Sequence, residues 1–191
     1  MSIAVLISIR PEWVLKIANR DKTIEIRKNT PNIRTPFKSY IYCTKNRPLI
    51  GWECGWAGSR ELRNFGHGIL MPVMPPLHRA NVFNGKVVGE FVCDYINYIS
   101  PSSCVVKEEI EKGLKGTCLS VERFKEYAGW KHGMPIAKCR DMYGWHICDL
   151  QIYDEPKELS ELSRVDYKHL PIQRWTVERP PQSWMYVEEM I

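Results

Sequence analysis

The sequence predicts an α+β fold: a small mixed β-barrel with two to four flanking helices and a long insertion. Three observations carry that reading. Strand-like segments dominate and are spread along the chain, few helical patterns separate them, and regular periodicity lapses between residues 46 and 85. At 191 residues and 44% hydrophobic content, the chain suits one domain over residues 1–191, with an irregular insertion at about 46–85.

The elements follow in order. Ile3 to Ser8, apolar as far as Ile7, reads as a buried first strand. Pro11 suits the first turn of a helix reaching Ala18, with Trp13, Val14 and Ile17 as its apolar stripe. The polar corner Asn19-Arg20-Asp21 leads to a second strand at Lys22 to Arg27. A third runs from Phe37 to Thr44, with Tyr40 and Tyr42 on one face. The proline- and glycine-rich stretch that follows, GWECGWAG included, has no sustained period. After Gly85-Lys86, VVGEFVCDYINYI reads as one long strand in which Gly89 marks a bulge or bend. Ser120 caps a helix over Val121 to Tyr127. YGWHICDLQIY reads as another strand, with Tyr143, Trp145 and Ile147 on one face and Gly144, His146 and Cys148 on the other. PPQSWMYVEE is a proline-bounded final strand.

Composition narrows the chemistry. The N-terminus MSIAVLISIR lacks the long apolar region of a signal peptide, and no run of about eighteen apolar residues occurs, so no membrane role and a cytoplasmic location are expected. The seven cysteines are odd in number and never spaced as CxxC, which predicts reduced core thiols, with no metal site and no cofactor. The net charge is +5, and its distribution is uneven: residues 10–38 hold eight basic and three acidic side chains, while the remainder balances at nineteen of each. A localised positive field suits an anionic partner such as RNA, a nucleotide or a phosphate, and equally a solvated basic face.

Alternation along the second strand places Lys22, Ile24 and Ile26 on one face and Thr23, Glu25 and Arg27 on the other. A lysine among isoleucines is either a desolvated amine available to act on a ligand or a snorkelling side chain whose stem covers Ile24. Glu25 and Arg27 are either site residues or a surface ion pair. Spacing alone leaves both choices open.

The pattern Arg20-x-Lys22-x-x-Glu25-x-Arg27, directly after a helix with Trp13, resembles the GxKxxExR signature of the ASCH domain, a member of the PUA-like superfamily. The order of elements agrees over Ile3 to Thr44 and Gly85 to Glu189. The first motif position departs from it, Arg20 standing where the signature has glycine. If that corner needs a positive φ, either Arg20 bears the cost or Asn19 takes up the turn.

The resemblance implies a PUA-like barrel with a cleft, lined by the motif, that takes RNA or a modified nucleoside. Lys22 and Arg27 suit phosphate or a base edge, Glu25 can accept from an exocyclic amine, and Arg10 and Lys28 extend the basic rim. Trp13, Tyr42, Trp145 and Trp184 are the rings available for stacking, or else for the core, and His146 is a structural or an acid–base histidine. The resemblance also implies an enzymatic alternative. Small ASCH-like hydrolases use the motif lysine, a threonine where this chain has Glu25, and a later glutamate to deacylate N4-acetylcytidine, and other relatives cleave RNA. Here Lys22, with Glu25, is the candidate for catalysis, and Glu90 is the candidate for the later acid. A carboxylate beside Lys22 stabilises its ammonium, so binding is the expected function and hydrolysis the alternative.

Overall fold

A computed structural model describes residues 2–52, 70–72, 82–100, 107–135, 138–166 and 173–190. In chain order the elements are β1 (Ile3–Ile9), α1 (Pro11–Ala18), β2 (Ile24–Arg27), β3 (Phe37–Cys43), β4 (Ile50–Trp52), β5 (Leu70–Pro72), β6 (Val87–Cys93), β7 (Ile96–Ile99), α2 (Lys107–Gly113), α3 (Val121–Tyr127), β8 (Met142–His146), β9 (Cys148–Lys157), β10 (Ser163–Asp166), β11 (Gln173–Thr176) and β12 (Trp184–Glu188). Two compact units share them, one taking Met1–Arg20, Lys38–Phe91 and Leu150–Ile191, the other Asp21–Phe37 and Val92–Asp149. None of the described helices is long and apolar enough to cross a membrane.

The first unit is built on a seven-stranded sheet in the order β11-β10-β12-β1-β3-β6-β9. The apolar run of β1 occupies its interior, antiparallel to β12 and parallel to β3. Ala4, Leu6, Tyr40, Tyr42, Val87, Leu162, Val177 and Val187 form its core. The sheet ends at β11 and β9 and is open, so the closed barrel expected from the sequence is not formed.

The open sheet has a local cause. The run 87–99 was expected to be one strand, but it divides into β6, in the large sheet, and β7, in a three-stranded sheet ordered β2-β8-β7. The run 143–153 divides in the same way into β8 and β9. Period-2 alternation reports which face is apolar and carries no information about a change of partner strand. Gly89 admits β9, since a Cβ there would collide with the Gln151 carbonyl.

The stretch expected to be irregular contains β4 and β5, an antiparallel ribbon pairing Ile50 with Pro72 and Trp52 with Leu70. Residues 53–69 and 73–81, GWAG and most of GWECGWAG among them, lie outside the described residues. The base of this stretch is closed by Asn84, whose amide nitrogen donates to the carbonyls of Asn46 (2.6 Å) and Pro48 (3.0 Å) while its oxygen accepts from the Ile50 N–H at 2.8 Å.

In the second unit, α3 is capped by Ser120, whose hydroxyl accepts from the Arg123 N–H at 3.3 Å. Its buried Val121 and Phe124 join Ile24, Ile26, Ile99, Ile110, Leu114 and Met142 in one core. The isoleucines of β2 therefore face apolar neighbours, as their alternation predicts.

Between α1 and β2, the corner is turned by Arg20, with φ of +63°, while Asn19 keeps a negative φ of −79°. The left-handed conformation costs a residue with a Cβ roughly 1–2 kcal/mol, offset in part by the Arg20 Nη2 hydrogen bond to the Leu150 carbonyl at 3.3 Å. Replacing Arg20 by glycine and by alanine separates the two effects, since both lose the hydrogen bond and only alanine keeps the strain. The glycine variant should be more stable than the alanine variant by about 1 kcal/mol in urea unfolding. Equal midpoints would show that this corner carries no strain.

Candidate functional site

Lys22 lies just ahead of β2, in the segment that leaves the Arg20 corner. Its side chain does not follow the strand alternation to the isoleucine face. The ammonium donates to the carbonyls of Ile24 (2.7 Å) and Thr117 (2.8 Å) and lies 3.2 Å from Glu25 Oε2. The other Glu25 oxygen, Oε1, takes Arg27 Nη2 at 2.9 Å. The three residues are only 3%, 7% and 6% exposed, which excludes both a snorkelling lysine and a surface ion pair. Charges buried this deeply persist only when each is paired and hydrogen-bonded.

The loop between α2 and α3 supplies the remaining partners. Gly116, at φ of +80°, presents its carbonyl to the N–H groups of both Thr23 (2.8 Å) and Ile24 (3.0 Å), and a Cβ there would strike the Thr23 hydroxyl. Thr117 is fully buried, with its hydroxyl donating to the Leu114 carbonyl at 2.7 Å and accepting from the Leu119 N–H at 3.1 Å. These residues were not anticipated. Their only signal in the sequence is a lone glycine beside a threonine.

β2 pairs antiparallel with β8, setting Glu25 opposite Trp145 and Arg27 opposite Tyr143. Trp145 is fully buried, with the edge of Phe37 against it at 5.6 Å and 87°. It takes the core alternative and presents no face for stacking. His146, the last residue of β8, holds Asp94 Oδ1 at 2.6 Å from its Nδ1 and stacks on Tyr95 at 4.4 Å and 12°. Burial raises the Asp94 carboxyl, but the hydrogen bond and charge of His146, together with the backbone N–H groups of Asp94 and Tyr95, outweigh it and leave the carboxyl below its ordinary range. Lys28 follows the strand, exposed, with its ammonium 4.8 Å above the Tyr127 ring.

Other expected site residues belong to the first unit. Arg10 is exposed, and its carbonyl starts α1 by accepting from Trp13 and Val14. Trp13 is half-buried beneath the Lys16 ammonium at 5.3 Å. Tyr42 is a core ring, and Trp184 packs edge-on to Tyr186 at 5.2 Å. Glu90 is engaged by Lys38 at 3.1 Å and by the Tyr153 hydroxyl at 2.5 Å. Burial, and then the Glu90 carboxylate, push the Tyr153 phenol well above its usual range.

Among the described residues, no group of three or more His, Cys, Asp or Glu side chains could hold a metal ion. Cys43, Cys93, Cys118, Cys139 and Cys148 are free thiols. Burial raises Cys43 and Cys93 to about 12, so both stay protonated as core residues.

Removing the shared carboxylate charge should expose the cost of the arrangement. Glu25→Gln leaves two buried cations facing a neutral amide and should lower stability by about 3–5 kcal/mol. The exposed Glu126→Gln should change it by less than about 0.5 kcal/mol. Urea midpoints at unchanged m-value measure both, and equal losses would contradict the network.

No protein-family model matches the chain, and neither does any curated protein sequence. Solved structures do match. A crystal structure of ASCH from Zymomonas mobilis is 16% identical, with a TM-score of 0.54 over 97% of this chain and 88% of that one. A serine-to-alanine mutant of that protein gives 15% and 0.54, over 97% and 89%. A tyrosine-to-phenylalanine mutant gives 15% and 0.52, over 97% and 91%. At such identities the likeness is one of fold, and the fold of this chain is similar to that of ASCH structures.

Proposed function

We propose that this protein binds RNA or a modified nucleoside through the strand that carries Glu25 and Arg27, with Lys22 holding that strand in place rather than reacting. The supporting observation is the set of acceptors around Lys22. A base or nucleophile needs a nitrogen lone pair, whereas here two carbonyls and a carboxylate surround the nitrogen in the way that an ammonium requires. The motif also sets two cations against one carboxylate, a balance that favours an anionic or acceptor-rich ligand. Exposed Lys28 and Arg34 add a salt-sensitive contribution to binding.

A second reading, hydrolysis of RNA or of an acylated nucleoside such as N4-acetylcytidine, has one specific support. Asp94 fixes the Nδ1 side of His146, the arrangement that readies the other ring nitrogen to accept a proton. On this reading His146 is the base, and Lys22 is not.

Retention of mixed-sequence RNA should weaken steeply between low and moderate salt, and Lys28→Ala should reduce both the affinity and the salt slope. N4-acetylcytidine should yield no cytidine. RNA cleavage abolished by His146→Ala would favour the second reading, and deacylation abolished by Lys22→Met in a folded variant would sink the first.

A further inference from the structure

The three-stranded sheet of the second unit carries a row that starts at the motif residue Arg27 and continues through two tyrosines outside the motif. Arg27 on β2 stands opposite Tyr143 on β8, and Tyr143 stands opposite Tyr98 on β7. Residues directly opposite one another share a face of the sheet, so the three side chains form a line from the buried guanidinium outward. Burial falls along it. Arg27 is 6% exposed, Tyr143 half-buried and Tyr98 61% exposed. The two rings meet at 5.8 Å and 61°, a contact that leaves most of the Tyr98 side chain in water.

Tyr98 is the most exposed large hydrophobic side chain among the described residues. We infer that Tyr98, backed by Tyr143, is a stacking subsite for a second nucleobase, and that the ligand is therefore a single-stranded oligonucleotide rather than a free nucleoside. This rests on the binding reading above and narrows it. Two strand spacings, about 10 Å, separate the strand of Arg27 from that of Tyr98, a reach that suits adjoining nucleotides better than one base and its sugar. Charge supports the same occupant, because Lys28 and Arg34 lie exposed in the basic segment that also carries Arg27. The Tyr98 hydroxyl is hydrogen-bonded to Asp141, which raises the phenol above its usual range, so the ring stays neutral beside a phosphate chain.

The test compares a mononucleotide with a single-stranded tetranucleotide carrying 2-aminopurine, a base whose fluorescence is quenched on stacking. Wild-type protein should bind the tetranucleotide at least tenfold more tightly and quench it. Tyr98→Ala should lose about tenfold in tetranucleotide affinity, together with the quench, and leave the mononucleotide unchanged, while Tyr98→Phe should behave as wild type. Equal wild-type affinity for the two ligands, or a Tyr98→Ala variant with undiminished tetranucleotide binding, would overturn the subsite and leave the binding reading standing. Failure to bind either ligand would overturn both. A change in oligomeric state with Tyr98→Ala, without an effect on nucleotides, would assign the ring to a second copy of the chain and refute the inference.

Discussion

The buried carboxylate of Glu25, held between the Lys22 ammonium and the Arg27 guanidinium, is the constraint on which the second unit depends. Three ionised groups withdrawn from water would be prohibitive unless their hydrogen bonds were supplied in advance. For Lys22, β2 supplies the Ile24 carbonyl and the loop between α2 and α3 supplies the Thr117 carbonyl; that loop is itself fixed by the buried Thr117 hydroxyl and by the Gly116 carbonyl, which takes two N–H groups of the motif segment. The polar demand of one side chain therefore determines where a distant loop must lie. Apolar packing completes the arrangement, because Ile24 and Ile26 enter a core shared with α3. Neither half would suffice alone: the core sets the strand's orientation, and the charges set the register of the loop against it.

What could be read from the sequence divides along physical lines. The helix started by Pro11 with an apolar stripe and the helix capped by Ser120 stand at Pro11–Ala18 and Val121–Tyr127, as expected. Also as expected are the inward isoleucines of β2 and the interior position of β1. The closed barrel and the face of Lys22 were misread for related reasons. Alternation extrapolates a side-chain direction along one strand, and it fails where the backbone leaves that strand. Lys22 precedes β2 and curls toward the carboxylate, while Asp94 and Tyr95 lie where one apolar run passes from sheet to sheet. The role of Thr117 was invisible because it acts through its carbonyl, a group every residue has.

The uneven charge also changes meaning once side chains are placed. Of the eight basic residues between Arg10 and Lys38, three are used internally: Lys22 and Arg27 by Glu25, and Lys38 by Glu90 and Glu189 at 3.1 and 3.3 Å. For Lys38, burial works against the charge but those two carboxylates outweigh it and raise its pKa above its usual range. The long-range field therefore comes from Arg10, Lys16, Arg20, Lys28 and Arg34, all exposed, with the first three in one unit and the last two in the other. Exposed cations act through counterion release and encounter rate, both of which fade with salt.

Buried cations behave differently. A guanidinium already ordered by a carboxylate loses little further freedom when it meets a ligand, and with water excluded its hydrogen bonds are stronger than those of a surface arginine. Such a pair is suited to discrimination, because a ligand that lacks the matching acceptor leaves a desolvated donor unsatisfied. The same rigidity argues against turnover at Lys22. A reacting amine must shed a proton and regain it, and each transfer would leave two carbonyls and a carboxylate without the donors that justify their burial. His146 is placed differently from Lys22. Its ring is partly exposed, held on one side by Asp94 and stacked on Tyr95, and it lies outside the buried charge network.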